Sequence, residues 1–206
     1  MQVTAQMVKQ LRERTGAPMM QCKSVLQEAD GSIDEAIQLL RKKGLATAAK
    51  KAGRATADGA VGSYIHAGGK IGVLVEINCE TDFVARTDDS QALVKDVAMH
   101  IAAAEPRYLR REEVTDEILA REREVYRAQV LAMGKPEKVA DRIVDGKMEK
   151  FFSEAVLYEQ PFVKNPDQTV DQLILERVAK LGENIQVRRF ARFRLGEELG
   201  TSDSGS

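Results

Sequence analysis

The feature that most constrains the fold is a strictly alternating segment at residues 71–79. One set of its alternate positions is apolar throughout: Ile71, Val73, Val75, Ile77 and Cys79. A period of two residues is typical of a strand with one buried face. We therefore predict a strand over 71–79, and a chain with such a strand must build a sheet around it.

The residues that follow this strand, 80–86, are predicted to form a loop at one edge of the sheet. They read Glu-Thr-Asp-Phe-Val-Ala-Arg, so Phe83 is a single aromatic residue among charged neighbours. Two interpretations of Phe83 are open. Either the ring folds back beneath the sheet, or it is exposed for a partner, in the manner of aromatic anchors at binding hot spots.

Residues 1–44 contain the start and stop signals of three short helices. These signals are, in chain order, Thr4, Gly16, Pro18, Ser32 with Glu35, and Gly44. Gly after a helix and Pro at its start follow the usual asymmetry of helix ends, and Ser32 with Glu35 forms a capping box. Each predicted helix has one narrow apolar stripe, so the three must pack together into a small domain.

Residues 45–57 are rich in Ala, Lys and Gly and are interpreted as a linker. The predicted core covers 58–199, and the small polar residues of 200–206 are predicted to be a disordered tail. The core is predicted to contain strands at 61–66 and 185–195, a turn at 67–70, a helix from 88 onward, a loop at 160–166 and a helix over 170–181. In the last strand the predicted apolar face is Ile185, Val187, Ala191, Phe193 and Leu195.

Two longer amphipathic helices are predicted between residues 115 and 157. Thr115 caps the first, and Gly134-Lys135-Pro136 separates it from the second. The predicted stripes include Ile118, Val125, Tyr126, Val139, Ile143, Met148 and Phe151. Helices joined by so short a turn run antiparallel. The predicted fold class is thus α+β, with a three-helix N-terminal domain, a small antiparallel sheet with helices, and a helical hairpin.

Charge is distributed unevenly along the chain, which leaves RNA binding open as a function. Residues 1–56 hold ten basic and five acidic residues, whereas the remainder holds twenty-one basic and twenty-seven acidic ones. Two basic clusters stand out, at 41–54 and at Arg188, Arg189, Arg192 and Arg194. Either cluster binds acidic partners such as RNA phosphates, or it is a solvated surface beside a helix end or neighbouring acids.

No motif in the sequence predicts catalysis, a metal site or a cofactor. Phosphate-binding glycine loops are absent, and the glycines at 68 and 69 are predicted to form a hairpin turn. His66 and His100 have no nucleophile at a useful spacing, and Cys22 and Cys79 are predicted to be buried free thiols. We therefore expect a binding protein rather than an enzyme.

Three segments together resemble the elongation factor Ts family in its short form. They are residues 81–86 with Asn78-Cys79 before them, residues 11–23, and residues 182–189. Pro18, in the second segment, stands where Gly is commoner in the family. The segments come in the family's order and extend over most of the chain, so the sequence is identified as a member of this family.

The resemblance implies a function and two sets of contact residues. Members promote GDP release from elongation factor Tu during translation elongation, and they bind its GDP-bound and nucleotide-free forms. Thr81, Asp82, Phe83 and Val84 would disturb the Mg²⁺ site of the partner. The N-terminal domain, which in this family is similar to the ubiquitin-associated fold, would grip the partner through residues that here include Arg12, Met19, Met20 and Lys23.

The resemblance also leads to an expected assembly state. Long members have two related core subdomains, whereas a single such unit is found here, with no internal repeat. A three-stranded sheet leaves an edge or a face exposed, so we expect a homodimer. The sequence opens without a signal-peptide core and has no long apolar run. We therefore expect a cytoplasmic protein without membrane contact, and no direct nucleic-acid binding.

Overall fold

The predicted α+β class is confirmed by the computed structural model, which is 59% helical and 19% strand and describes residues 3–134 and 136–197. The predicted tail at 200–206 lies outside the described residues. The helices are α1 Ala5–Thr15, α2 Met19–Glu28, α3 Ile33–Lys51, α4 Asp82–Ala85, α5 Asp88–Ala104, α6 Asp116–Ala132, α7 Glu137–Ala155 and α8 Val170–Leu181. The strands are β1 Asp58–Ile65, β2 Ile71–Cys79, β3 Pro161–Phe162, β4 Asn165–Thr169 and β5 Ile185–Arg194.

The chain divides into two compact units, each built from several stretches of sequence. The first holds the residues up to Ala60, Ile77–Leu93 and Gln172–Gln186. The second holds Val61–Glu76, Val94–Asp171 and the described residues from Val187 onward. The boundaries predicted at 44 and 57 remain predictions about independent domains.

Helices α1, α2 and α3 begin and end largely where the capping residues predict. The Thr4 hydroxyl accepts a hydrogen bond from the Met7 amide at 3.3 Å, and that of Ser32 accepts from the Glu35 amide at 3.3 Å. Gly16, at φ 67°, ends α1 in the left-handed conformation. The helices share a buried apolar cluster of Val8, Leu11, Cys22, Val25, Leu26, Ala29 and Ala36.

The predicted end of α3 at Gly44 is wrong, because the helix continues to Lys51. Gly44 sits inside α3, where a Cβ atom would lie 3.2 Å from the Cβ of Ala179 on α8. The glycine therefore permits a close approach of two helices rather than ending one. Ala48, within the predicted linker, is 2% exposed as a result of this packing.

Strands β1, β2 and β5 form one sheet, with β2 in the centre. The predicted strand 71–79 is confirmed residue for residue as β2, whereas β1 starts three residues earlier than predicted, at Asp58. Gly68 and Gly69, with φ values of 92° and 68°, make the predicted turn. The closing strand is confirmed as β5, but its predicted face is wrong in part, since Phe193 is 66% exposed.

Helices α6 and α7 form the predicted antiparallel hairpin. Arg127 pairs with Asp141 at 3.3 Å and Arg123 pairs with Asp145 at 2.8 Å, a register in which α7 returns along α6. The predicted apolar stripe is wrong at two positions, because Val125 and Val139 are nearly half exposed. The buried face includes Val130, Ala140, Val144, Met148, Phe151 and Ala155.

The predicted loop at 160–166 is wrong, because this segment contributes to a small antiparallel ribbon. β3 pairs with β4 in the register Pro161 to Thr169. The two prolines favoured the loop prediction, yet Pro is tolerated in short edge pairings where its missing N–H is not needed. Phe162, which packs 5.9 Å from the His100 ring and is 4% exposed, anchors the ribbon.

Candidate functional site

The residues directly after β2 form a single helical turn, α4, where the sequence predicts a loop. Thr81 is its N-cap, with extended backbone angles, and its hydroxyl accepts from the Val84 amide at 3.4 Å. Asp82 pairs with Arg86 across the turn at 2.9 Å. The loop prediction was wrong because Thr followed by Asp is a good start for a helix, even for one turn.

Phe83 projects from α4 into solvent. Its side chain is 81% exposed, whereas Ala85 on the same turn is 6% exposed and Val84 is half-buried. The interpretation in which Phe83 folds beneath the sheet is therefore wrong. An exposed phenylalanine flanked by Asp82 and Arg86 has the composition of a binding hot spot.

Two carboxylates connect α4 to the turn between α8 and β5. Glu183 Oε2 accepts from the backbone amides of Glu80 and Thr81 at 3.1 and 3.0 Å, and its Oε1 accepts from the Thr81 hydroxyl at 2.7 Å. In return, Glu80 Oε1 accepts from the Asn184 amide at 2.7 Å. That bond, together with Arg54, holds the pKa of Glu80 below its ordinary value.

Sequence reasoning missed the structural roles of Glu80 and Glu183. Glu183 lies in the 182–189 segment, but the sequence assigns it no role of its own. The available signal was a carboxylate directly after Gly182, which ends α8 at φ 80°. A carboxylate at this position can accept hydrogen bonds from amides at the end of a neighbouring strand. The sequence does not show which strand that is.

The four predicted N-terminal contact residues are all exposed. Met19 and Met20 are 57% and 73% exposed, and Arg12 and Lys23 are also exposed. Met19 and Lys23 are four residues apart on α2, and Met20 and Lys23 three, so they share a face. Arg12 lies on the neighbouring helix α1, whose Leu11 shares a buried cluster with Cys22 of α2.

Both basic clusters contain residues that pair with acceptors of the chain itself. Near α3, Lys43 binds Glu28, Arg54 faces Glu80 and Lys51 donates to the Gly182 carbonyl. On β5, Arg188 and Arg189 contact Glu76 at 3.6 and 2.7 Å, and Arg192 contacts Glu105 at 2.9 Å. These pairings favour the interpretation as solvated surfaces over RNA binding.

The remaining titratable candidates have structural surroundings. His100 is fully buried, with Nε2 2.9 Å from Gln160 Oε1, and burial lowers its pKa. Cys22 and Cys79 are free and buried as predicted, and burial raises the pKa of both thiols. Within residues 3–134 and 136–197, no cluster of His, Cys, Asp and Glu has the arrangement of a metal site. Across the same described ranges, none of the helices is long and apolar enough to cross a membrane.

Comparison with known proteins gives a consistent result over nearly the whole chain. The sequence model of the family described as Elongation factor TS matches residues 1–197. The protein named Elongation factor Ts of Carboxydothermus hydrogenoformans is 59% identical over 201 residues, which cover 98% of this chain and 93% of that relative. Those of Heliobacterium modesticaldum and Geobacter sulfurreducens are 62% and 59% identical, over 96% and 99% of this chain and 92% and 94% of their own lengths.

The match includes each of the three segments on which the resemblance rests, at 11–23, 81–86 and 182–189. The structure places the second on an exposed turn, and residues 183 and 184 of the third against that turn. From the extent of the match and the level of identity, the chain belongs to the elongation factor Ts family.

Proposed function

We propose that this protein is a guanine-nucleotide exchange factor that promotes GDP release from elongation factor Tu during translation elongation. Membership of the elongation factor Ts family supports the partner and the process. The observation that carries the proposal in this chain is Phe83, an aromatic side chain 81% exposed on a turn whose start is hydrogen-bonded to Glu183.

The proposed mechanism is displacement rather than chemistry. Thr81, Asp82, Phe83 and Val84 contact the nucleotide-binding domain of the partner beside its Mg²⁺ ion. Mg²⁺ requires near-ideal octahedral ligands, so a small shift of those ligands weakens both the metal and GDP. Burial of one phenylalanine side chain contributes about 1.5–3 kcal/mol, which corresponds to roughly a 10- to 150-fold change in an equilibrium.

Reciprocity follows from this scheme. If the factor binds the nucleotide-free partner more tightly than the GDP form, GDP must weaken the factor by the same ratio. The cycle breaks no bond in the factor or in GDP, so it needs neither a catalytic residue nor a cofactor of the factor's own. We accordingly propose that the protein is not an enzyme. We also propose that it is cytoplasmic.

Residues 1–44 are proposed to be a docking domain, followed by the segment 45–57 and the core at 58–199. Arg12, Met19, Met20 and Lys23 would contact the partner, because they present exposed apolar and basic groups over a packed helical core. Apolar contact and charge together give affinity and encounter rate. In this scheme the N-terminal face holds the partner while α4 acts on the nucleotide site.

The function is tested by release of labelled GDP from elongation factor Tu with and without this protein. Release should accelerate with protein concentration and approach a limit, and the protein alone should not hydrolyse GTP. An unchanged release rate at saturating protein would refute the proposed function.

We further propose that the chain works as a homodimer, joined through one face of its three-stranded sheet. Five large apolar side chains on or next to these strands are exposed. Their exposed fractions are Val61 70%, Ile65 67%, Leu74 49%, Phe193 66% and Leu195 76%. Exposed apolar patches of this kind mark interaction surfaces. A second copy is the commonest way for identical chains to cover one.

The backbone geometry supports a common face for these side chains. A Cβ on Gly72 would lie 3.1 Å from the Ile65 side chain, so Leu74, two residues further on, lies on the Ile65 side. A Cβ on Gly62 would instead meet Val94 of α5, which identifies the opposite, helix-covered side.

The β5 residues follow the same division. Arg192 reaches Glu105, directly after α5, so Arg192 lies on the helix-covered side of the sheet. Alternation along the strand then puts Phe193 on the other side, together with Leu195 and Leu74. One apolar surface therefore runs across β1, β2 and β5, which are neighbours in that order.

A further inference from the structure

We infer that Glu183 is a positioning residue for nucleotide exchange, which acts by holding α4 and thereby Phe83 in the conformation that meets the partner. This inference rests on the proposed function and assigns a role to the 182–184 turn. The turn contributes no side chain to either of the proposed contact surfaces.

Glu183 holds the start of α4 through three hydrogen bonds. One carboxylate oxygen accepts from the backbone amides of Glu80 and Thr81, at 3.1 and 3.0 Å. The other accepts from the Thr81 hydroxyl at 2.7 Å. Because the acceptor is an ionised carboxylate, these bonds are stronger than those between neutral groups.

The Thr81 hydroxyl couples Glu183 to the helical turn itself. This hydroxyl donates to Glu183 and accepts from the Val84 amide at 3.4 Å, which is the N-cap bond of α4. Since the hydroxyl has one proton, donation to Glu183 aims its lone pairs at the turn. Loss of the carboxylate releases that orientation and weakens the cap.

The 182–184 turn is itself fixed, so Glu183 transmits a rigid position. Asn184 donates its backbone amide to Glu80, and its side-chain amide to the carbonyls of Ala52 and Arg54 at 3.3 and 2.9 Å. Lys51 donates to the carbonyl of Gly182. The end of α3, the end of β2 and the turn after α8 thus form one hydrogen-bonded junction.

A support of this kind is needed because α4 is a single turn. Isolated helices of one turn are unstable, since nucleation costs more than one hydrogen bond returns. If α4 opens part of the time, the fraction of molecules with Phe83 correctly placed falls, and activity falls with it. Glu183 raises that fraction.

The test compares Glu183→Ala, Glu183→Gln and the control Glu113→Ala. Glu113 also accepts a backbone amide, that of Leu109 at 2.7 Å, but it belongs to the other compact unit. The Ala variant should lower the limiting rate of GDP release by about tenfold, since a lost hydrogen bond to a charged group changes an equilibrium by this order. The concentration of factor at half-saturation should change little, because the N-terminal face is untouched.

The Gln variant should have a rate between those of the wild type and the Ala variant. Its carbonyl oxygen can accept the two backbone amides, but its NH₂ group cannot accept the proton of the Thr81 hydroxyl, so the orientation of that hydroxyl is lost. Glu113→Ala should match the wild type. If Glu183→Ala does not fold, Glu183→Asp replaces it, because the shorter carboxylate keeps the charge but not the reach.

A double variant separates positioning from general damage. Glu183→Ala should have a much smaller effect in a Phe83→Ala background, since it acts mainly through that side chain. Equal effects in both backgrounds would overturn the inference. A wild-type rate for Glu183→Ala, in an assay in which Phe83→Ala is slow, would also overturn the inference. If the wild-type protein itself has no exchange activity, the proposed function is refuted instead.

Hydrogen exchange gives a readout that needs no partner. The amides of Ala85 and Arg86 bond to the carbonyls of Thr81 and Asp82 and make no contact with Glu183. They should exchange faster in Glu183→Ala if α4 opens, and at the wild-type rate in Glu113→Ala. Unchanged protection of both amides would overturn the inference.

Discussion

Phe83 and Ala85 lie on the same helical turn but in opposite environments. Phe83 is 81% exposed and Ala85 is 6% exposed, so the turn is anchored through its small residue and displays its large one. Burial alone would favour the reverse arrangement, because the larger side chain gains more from leaving water. An exposed ring on an anchored turn is therefore available to a partner.

Phe83→Ala is expected to abolish most of the exchange activity and to leave stability nearly unchanged. A buried Phe→Ala change costs about 3–5 kcal/mol, whereas surface changes stay within roughly 0.5 kcal/mol. The limiting rate of GDP release should fall by about tenfold or more. Release kinetics and thermal melting of the same preparation check both parts.

The matched control is Met133→Ala, which removes another exposed apolar side chain, 67% exposed, beyond the end of α6. It should leave both exchange and melting as in the wild type. A marked drop in melting temperature for Phe83→Ala would mean that the ring supports the fold.

Structural features that depend only on residues close in sequence were predictable from local patterns. β2 was found as Ile71–Cys79 because alternation of side chains is a property of the strand alone. The caps at Thr4 and Ser32 were predictable for the same reason, since each bond spans three residues. The starts of α1 and α3 were therefore predictable from these caps.

Features that depend on distant packing were not predictable. Gly44 signalled a helix end, but Ala179 of α8 makes it a contact point inside α3. Glu183 reaches Thr81 across 102 positions of sequence, and no pattern around either residue names the other. The exposure of Phe83 was likewise open, because the sequence does not show what covers the end of β2.

Met20→Ala should weaken docking without changing the limiting rate of GDP release. Met20 is 73% exposed on α2, so its loss removes apolar contact area with the partner. The half-saturating concentration should rise by about fivefold, with the limiting rate unchanged. The control Leu45→Ala, at 41% exposure on α3, should behave as the wild type. A fall in limiting rate at unchanged half-saturation would reverse the roles proposed for the two surfaces.

The proposed homodimer should dissociate when a charge enters the apolar face of the sheet. Light scattering of the wild type should give about twice the 22.8 kDa chain mass. Phe193→Glu should give the mass of one chain, because burial of an unpaired carboxylate in an apolar interface is costly. Leu131→Glu, on α6 and 43% exposed, should remain dimeric. A monomeric wild type that exchanges nucleotide at full rate would exclude the dimer as a requirement.

Substitution by alanine should have opposite effects on the free energy of unfolding at two glycines, Gly59 and Gly146. A Cβ at Gly59, which has φ 149°, would lie 2.2 Å from the carbonyl oxygen of Ile77. Gly59→Ala must therefore push the backbone of β1 away from that of β2. It should lower the free energy of unfolding by at least about 2 kcal/mol. Gly146→Ala, inside α7 with nothing within 4 Å, should raise it by roughly 0.5–1 kcal/mol. Urea denaturation measures both, and a Gly59→Ala protein of wild-type stability would contradict the close approach.

Glu80 should make stability depend on pH in the acid range. Its carboxylate accepts from the Asn184 amide at 2.7 Å and faces Arg54, which lowers its pKa from the ordinary 4.5 in the folded protein. The unfolded chain therefore takes up a proton at Glu80 at higher pH than the folded chain does. The stabilisation is complete above pH 4.5 and is lost as the pH falls through the lowered folded value.

Glu80→Gln isolates this contribution. At pH 7 it should unfold at a lower urea concentration than the wild type, because a neutral amide is a weaker acceptor for Asn184 than a carboxylate. As the pH falls below 4.5, the wild type loses its charge in the unfolded state first, and the two midpoints should converge. The measurement is urea denaturation of both proteins from pH 7 to pH 3. A difference between them that stays constant across this range would show that the junction does not depend on the charge of Glu80.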